Sequence, residues 1–181
     1  MKSSPGGTAL LVGLAVCSGV AAVGEDPHRG GGVHVQLGTY TDASRVALNW
    51  ETPVLWSRQW HGGSSRLEST GELGVAYWSA KHSRQSAGAW QLNAVPMFRY
   101  WPGGTSRCFV EAGVGATLLN RTRFAGDSFS TAFQFGDHLG AGYQLTPSQR
   151  IGLRFSHFSN AAIKQPNPGL NSVQMVYAYL P

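Results

Sequence analysis

The sequence predicts an all-β protein, an eight-stranded antiparallel transmembrane β-barrel. Eight segments alternate apolar and polar residues with a period of two, and none carries a helical stripe. Charged residues are 13% of the 181, about half the share usual in soluble domains, while glycine reaches 24 residues and aromatics 11%. An export leader opens the chain, yet no later stretch approaches the ~20 apolar residues that a membrane-spanning helix needs. Together these features exclude a disordered chain, a coiled coil and a charge-covered soluble enzyme.

The leader comes first. Met1-Lys2 gives a positive start, Ala9 to Val16 is an apolar run, and Ser18, Gly19, Ala21 and Ala22 are small. Residues 1–22 therefore read as a secretory signal peptide, leaving 23–181 as the barrel domain. The apolar run is about half the length of a spanning helix, which argues against an anchor. Val16, immediately before Cys17, is bulky where a lipoprotein signal wants a small residue. The net charge is +5, from 14 Lys+Arg against 9 Asp+Glu, but the cations are scattered singly. No basic run of the kind that grips nucleic acid exists, so nucleic acid is not an expected partner; an anionic membrane surface accounts for the excess.

The segments follow at roughly 32–41, 44–54, 66–79, 89–101, 106–120, 131–145, 150–160 and 170–180. In the third, Leu67, Leu73, Val75 and Tyr77 oppose Glu68, Thr70, Glu72 and Trp78. In the fourth, Trp90, Leu92, Ala94, Phe98 and Tyr100 oppose Gln91, Asn93 and Arg99. The fifth sets Val110, Ala112, Val114, Ala116 and Leu118 against Glu111, Gly113, Gly115 and Thr117. The sixth sets Phe133, Phe135, Leu139, Ala141, Tyr143 and Leu145 against Gln134, Gly136, His138, Gly140, Gly142 and Gln144. A soluble sandwich also alternates; the even strand number, the leader and the low charge favour a barrel in the outer membrane. Trp50, Trp56, Trp60, Trp78, Trp90 and Trp101 fall near segment ends, as the aromatic girdles of such barrels do. Glu51, Glu68, Glu72, Arg99, Glu111 and Arg154 fall on the polar face, where opposite charges can pair and fill a small lumen. With both termini periplasmic, the connections near 42–43, 80–88, 121–130 and 161–169 face outward. Those near 55–65, 102–105 and 146–149 are the periplasmic turns.

The seventh segment breaks the pattern. Ile151, Leu153 and Phe155 form its lipid face, and the same parity carries His157 and Ser159 outward. Residues two apart on one strand face sit roughly 7 Å apart, close enough for a serine hydroxyl to meet an imidazole. That pairs a nucleophile with its base. The connection that follows, Asn160 to Gly169, contains two prolines and a glycine, which makes it stiff. His28, His34, His61, His82 and His138 show no metal-ligand spacing, so neither a metal nor an organic cofactor is expected.

The stretch His157-Phe158-Ser159-Asn160-Ala161-Ala162-Ile163-Lys164-Gln165-Pro166-Asn167-Pro168-Gly169 resembles the lipid A 3-O-deacylase family of outer-membrane enzymes. Weaker similarity runs through Phe109 to Gly115 and Phe133 to Asp137, and in outline covers most of the mature chain. The resemblance implies a lipid-facing Ser-His-acid site that removes the ester-linked 3-position acyl chain of lipid A. It implies Ser159 as nucleophile, His157 as base, and Asn160, by its side chain or neighbouring main-chain amides, as oxyanion donor. The resemblance implies lipid A, as part of lipopolysaccharide, as the substrate and outer-membrane lipids as the surroundings; a homodimer is one assembly left open.

One position departs from the family. The acid expected fourteen residues after the histidine is Asn171 here, placed by parity on the outward face with Val173, Met175 and Tyr177. An amide oxygen can orient the imidazole but cannot balance its charge. Asp137, outward on the sixth segment, is a second candidate to assist. Two other readings fit the same sequence: a non-catalytic small barrel, kept open by Asn171, and an esterase or phospholipase acting on other outer-membrane lipids.

Overall fold

The structure, a computed structural model, describes residues 30–181 except 41–42, 61, 63–64, 81–87 and 104–105. The leader expected over 1–22 lies outside the described residues.

The strands are β1 (Gly32–Tyr40), β2 (Ala43–Glu51), β3 (Trp56–Trp60), β4 (Ser65–Ala80), β5 (Gly88–Trp101) and β6 (Cys108–Leu119). There follow β7 (Arg123–Phe124), β8 (Asp127–Ser128), β9 (Phe133–Thr146), β10 (Gln149–Ser159) and β11 (Leu170–Tyr179). Pairing runs β2-β1-β11-β10-β9-β6-β5-β4, and a β2–β4 pairing closes the ring. Every pairing is antiparallel. The eight closing strands are the eight segments that alternation marks, with ends moved by a few residues. Closure leaves no open edge in these strands, which a bilayer requires because it offers no water to unpaired backbone groups.

Alternation sorts the side chains as a lipid-embedded barrel needs. Leu153 (61% exposed) and Met175 (67% exposed) point outward, where only hydrocarbon makes such exposure favourable. Glu51, Glu68, Glu72, Arg99, Glu111, Arg150 and Arg154 point inward and are buried. Six of them form one chain. Arg154 binds Glu72 through two 2.7 Å hydrogen bonds and Glu111 at 2.9 Å; Arg99 binds Glu111 at 3.1 Å and Glu51 at 3.2 Å; Arg150 reaches Glu51 at 2.5 Å. Three arginines therefore neutralise three carboxylates, and the lumen is packed rather than open.

Two expectations need correction. Residues 55–65 are not simply a turn: β3 pairs with the first residues of β4, Trp56 with Ser69 through Trp60 with Ser65, extending the wall past the end of β2. Trp78 and Trp101 belong to the lumen, not to a girdle. Trp78 has no exposed surface, donates to Gln91 at 2.6 Å and packs edge-on to Phe158; Trp101 donates to Glu68 at 2.8 Å. Parity on the strand outranks nearness to its end, because a one-residue step turns a side chain to the opposite face. The outward connection 121–130 has structure of its own. It contains the β7–β8 hairpin, and Phe124 and Phe129 turn down into an apolar plug with Trp78, Ala89, Leu119, Phe158 and Leu170.

Candidate active site

The site lies where the outer wall meets that plug. β10 ends at Ser159, and its last outward residues are Phe155, His157 and Ser159. Register places Asn171 of β11 directly opposite His157 on one side and Asp137 of β9 opposite it on the other. All three share the outward face and are half-buried. His157 Nδ1 donates to Asn171 Oδ1 at 2.7 Å. That bond commits the proton to Nδ1 and leaves the lone pair on Nε2, the tautomer a general base needs.

Ser159 is followed by a tight turn. Ala161 and Ala162 both adopt left-handed backbone, with φ of 52° and 61°, and Ile163 N donates to Asn160 O at 3.0 Å. The reversal aims the Ala161 amide at Ser159 Oγ, 3.4 Å away. Among the described residues this is the hydrogen bond that Ser159 makes; its hydroxyl and the imidazole share a face without yet meeting. Apo sites of this kind commonly tighten only when substrate binds.

Asn160 is only 1% exposed, and its side chain is turned away from the serine. Its Nδ2 donates to Ser130 Oγ at 2.8 Å, Thr131 Oγ1 at 3.3 Å and Lys164 O at 2.9 Å, while its own amide donates to Asn167 Oδ1 at 3.1 Å. Ser130 completes the clamp, its Oγ donating to Lys164 O at 2.6 Å and its amide to Pro166 O at 3.0 Å. Strand-parity reasoning does not reach Ser130 and Thr131, which sit in a connection far along the chain. The signal that was available is Phe124 and Phe129, two large apolar residues in a polar loop that must be buried somewhere. Gly169 closes the loop against the imidazole: its φ is +72°, and a Cβ there would stand 2.8 Å from His157 Cε1.

A groove of about 400 Å³ runs down the wall from this row. Pro96, Phe98, Ala112, Val114, Leu139 and Phe155 line it, with Asp137 at the end nearest His157. It exists because Ala112, in register between Phe98 and Leu139, is too small to fill its place. Inside the lumen, His34, Glu51 and Glu72 also converge. Arg99, Arg150 and Arg154 already occupy those carboxylates, so the cluster has no negative charge left for a cation.

Comparison with known proteins agrees with this architecture. The profile of the family described as lipid A 3-O-deacylase (PagL) matches residues 44–180. The chain is 50% identical over 169 residues to the lipid A deacylase PagL of Bordetella bronchiseptica, covering 93% of this chain and 94% of that one. It is 32% identical over 134 residues to the lipid A deacylase PagL of Pseudomonas aeruginosa, covering 74% and 75%. A crystal structure of the outer membrane enzyme PagL superposes with a TM-score of 0.65 at 28% identity, covering 83% of this chain and 99% of that one. An outer-membrane barrel with a polar His-Ser pair on its lipid-facing wall, matched over most of its length, belongs to the lipid A 3-O-deacylase family.

Proposed function

We propose that the chain hydrolyses the ester-linked 3-position acyl chain of lipid A, with Ser159 as nucleophile, His157 as general base and Asn171 as the residue that orients the imidazole. The observation that carries the reading is the 2.7 Å bond from His157 Nδ1 to Asn171 Oδ1, on the same outward face as Ser159. Few polar side chains belong on a barrel wall that faces hydrocarbon, and polar groups placed there are by default functional.

The chemistry follows from the atoms in place. Ser159 Oγ attacks the ester carbonyl while its proton passes to His157 Nε2. The oxyanion forms beside Ser159, where the Ala161 amide points. Asn160 acts through that amide: its side chain is spent on holding the turn in shape. Collapse of the tetrahedral intermediate breaks the ester bond, His157 returns the proton to the departing sugar 3-oxygen, and water then releases the acyl chain by the same steps in reverse order. No metal or organic cofactor enters these steps. The apolar groove beside the row suits a hydrocarbon chain.

Such an ester lies at the boundary between headgroup and acyl region, and the site end of the barrel occupies that depth when the termini are periplasmic. Residues 1–22 supply the export leader in this reading. Mass spectrometry of lipid A from an outer-membrane host expressing the chain tests the proposal. Loss of one hydroxyacyl chain is expected with the parent sequence and not with Ser159→Ala. Unchanged lipid A from a correctly inserted barrel would overturn it, and a lysophospholipid product would redirect it to other membrane lipids.

A further inference from the structure

Strand β3 takes no part in the reaction, and its outward face is unlike the rest of the wall. We propose that this face, formed by Trp56, Arg58 and Trp60, binds the phosphate headgroup of an anionic glycerophospholipid in the periplasmic leaflet of the outer membrane. The surface lies at the opposite end of the barrel from Ser159 and does not depend on the deacylase reading.

Register sets the depth of this face. One row of paired outward residues passes from Ser159, at the end of β10, through Ala116 of β6 and Leu73 of β4 to Val33, near the start of β1. Rows therefore descend toward the periplasm in the order β5, β4, β3. Arg58 pairs with Leu67, and Leu67 with Tyr100, the last outward residue of β5, so Arg58 lies closer to the periplasm than that ring. Two further observations agree. Among the described residues β3 pairs only with β4, and its other edge leaves backbone groups that hydrocarbon could not satisfy. Trp56 is 49% exposed, and outward indoles favour the boundary between hydrocarbon and water. The open edge excludes the bilayer core and the tryptophans disfavour bulk water, which leaves the headgroup layer.

The chemistry of the face selects the lipid. Arg58 is exposed, and its guanidinium lies over the Trp60 ring, 5.4 Å from the centroid. A guanidinium stacked in this way keeps its N–H groups free at the edge of its plane. Across the ladder it meets Leu67, and along the strand Trp56 and Trp60. Among the described residues no carboxylate pairs with it, so its charge is open to a partner from outside. A phosphate meets a guanidinium with two parallel hydrogen bonds, and the face is complementary in charge to an anionic headgroup. The face is also continuous with the lipid-facing wall: Leu67 and Tyr100, in register with Arg58, lie where the acyl chains of the same lipid would run. A zwitterionic headgroup brings its own cation to the phosphate and competes with Arg58.

The test titrates the full barrel in detergent micelles with phosphatidylglycerol or phosphatidylcholine of the same acyl chains and counts bound lipid by native mass spectrometry. Heat-modifiability on gels reports folding for each variant. The parent is expected to bind phosphatidylglycerol about tenfold more tightly than phosphatidylcholine. Arg58→Gln is expected to weaken phosphatidylglycerol binding about tenfold and to remove the preference, while Arg58→Lys keeps part of it. Arg121→Gln, a loss of charge at the outer end, is expected to stay within about twofold of the parent. Should Arg58→Gln fail to fold, Arg58→Ser is read in its place by the same criteria. Equal phosphatidylglycerol affinity in the parent and Arg58→Gln would overturn the proposal and leave the open edge of β3 to a peptide strand in the periplasm. An equal loss in Arg121→Gln would overturn it too, since net charge and not this face would then hold the lipid. Ser159→Ala is expected to bind as the parent does, so failure of the deacylase reading would leave this surface standing.

Discussion

At the scale of single residues, the site depends on which atom of His157 carries a proton. The 2.7 Å bond to Asn171 Oδ1 settles that on Nδ1 without a carboxylate. His157→Ala and Ser159→Ala are each expected to abolish deacylation while the barrel stays heat-modifiable, since both side chains face outward and hold no strand together. Retained activity in either, measured by lipid A mass spectrometry, would remove the pair from the chemistry. Asn171→Leu removes the acceptor and is expected to cost at least about a hundredfold, because the ring loses its tautomer and orientation. Asn171→Glu adds a charge beside the ring and is expected to raise the rate severalfold; kcat measured on purified barrels decides it. These positions are legible in the sequence because strand parity is strict. Counting by two from Ile151 reaches His157 and Ser159, and counting by two from Asn171 reaches Val173 and Met175. What the count does not reveal is that Asn160 spends its side chain on Ser130, Thr131 and Lys164.

At the scale of elements, two connections cooperate to shape the serine turn. The 160–169 loop bends through left-handed Ala161 and Ala162, and the 121–132 connection fastens it from the side through Ser130 and Thr131. Phe124 and Phe129 anchor that second connection in the plug, so the clamp is fixed to the barrel. Ser130→Ala is expected to lower the rate roughly tenfold with an unchanged unfolding midpoint, since it loosens a loop and not a strand. Gly169→Ala meets two obstacles, a φ of +72° and a Cβ only 2.8 Å from His157 Cε1. It is expected to displace the imidazole and cut the rate at least about tenfold, and a rate within twofold of the parent would show that the loop gives way instead. Strand β3 is not legible in the sequence for a different reason. Its residues are nearly all exposed, so it carries no buried face and hence no alternation to read.

At the scale of the whole molecule, the lumen is held by charge where a soluble domain would use apolar packing. Glu111 joins Arg99 to Arg154, and these link Glu51, Glu72 and Arg150 across five strands. Glu111→Gln leaves Arg99 and Arg154 short of a counter-charge in a buried space. It is expected to destabilise the barrel by about 3–5 kcal/mol, read as a lower urea midpoint in gel-shift unfolding. An unaltered midpoint would show that water enters the lumen and screens the arginines.

The barrel, its strand count, its lumen charges and the outward placement of His157, Ser159 and Asn171 can all be read along the chain. All of these follow from a local rule, the two-residue alternation of a strand between lipid and lumen. Tertiary structure alone decided what crosses between distant segments: the pairing of Asp137 with His157, the clamp from Ser130 to Asn160, the inward turn of Phe124 and Phe129, and the groove opened by Ala112. Those contacts depend on register and on loop paths through space, and no periodicity along the chain records which residue will face which across a neighbouring strand.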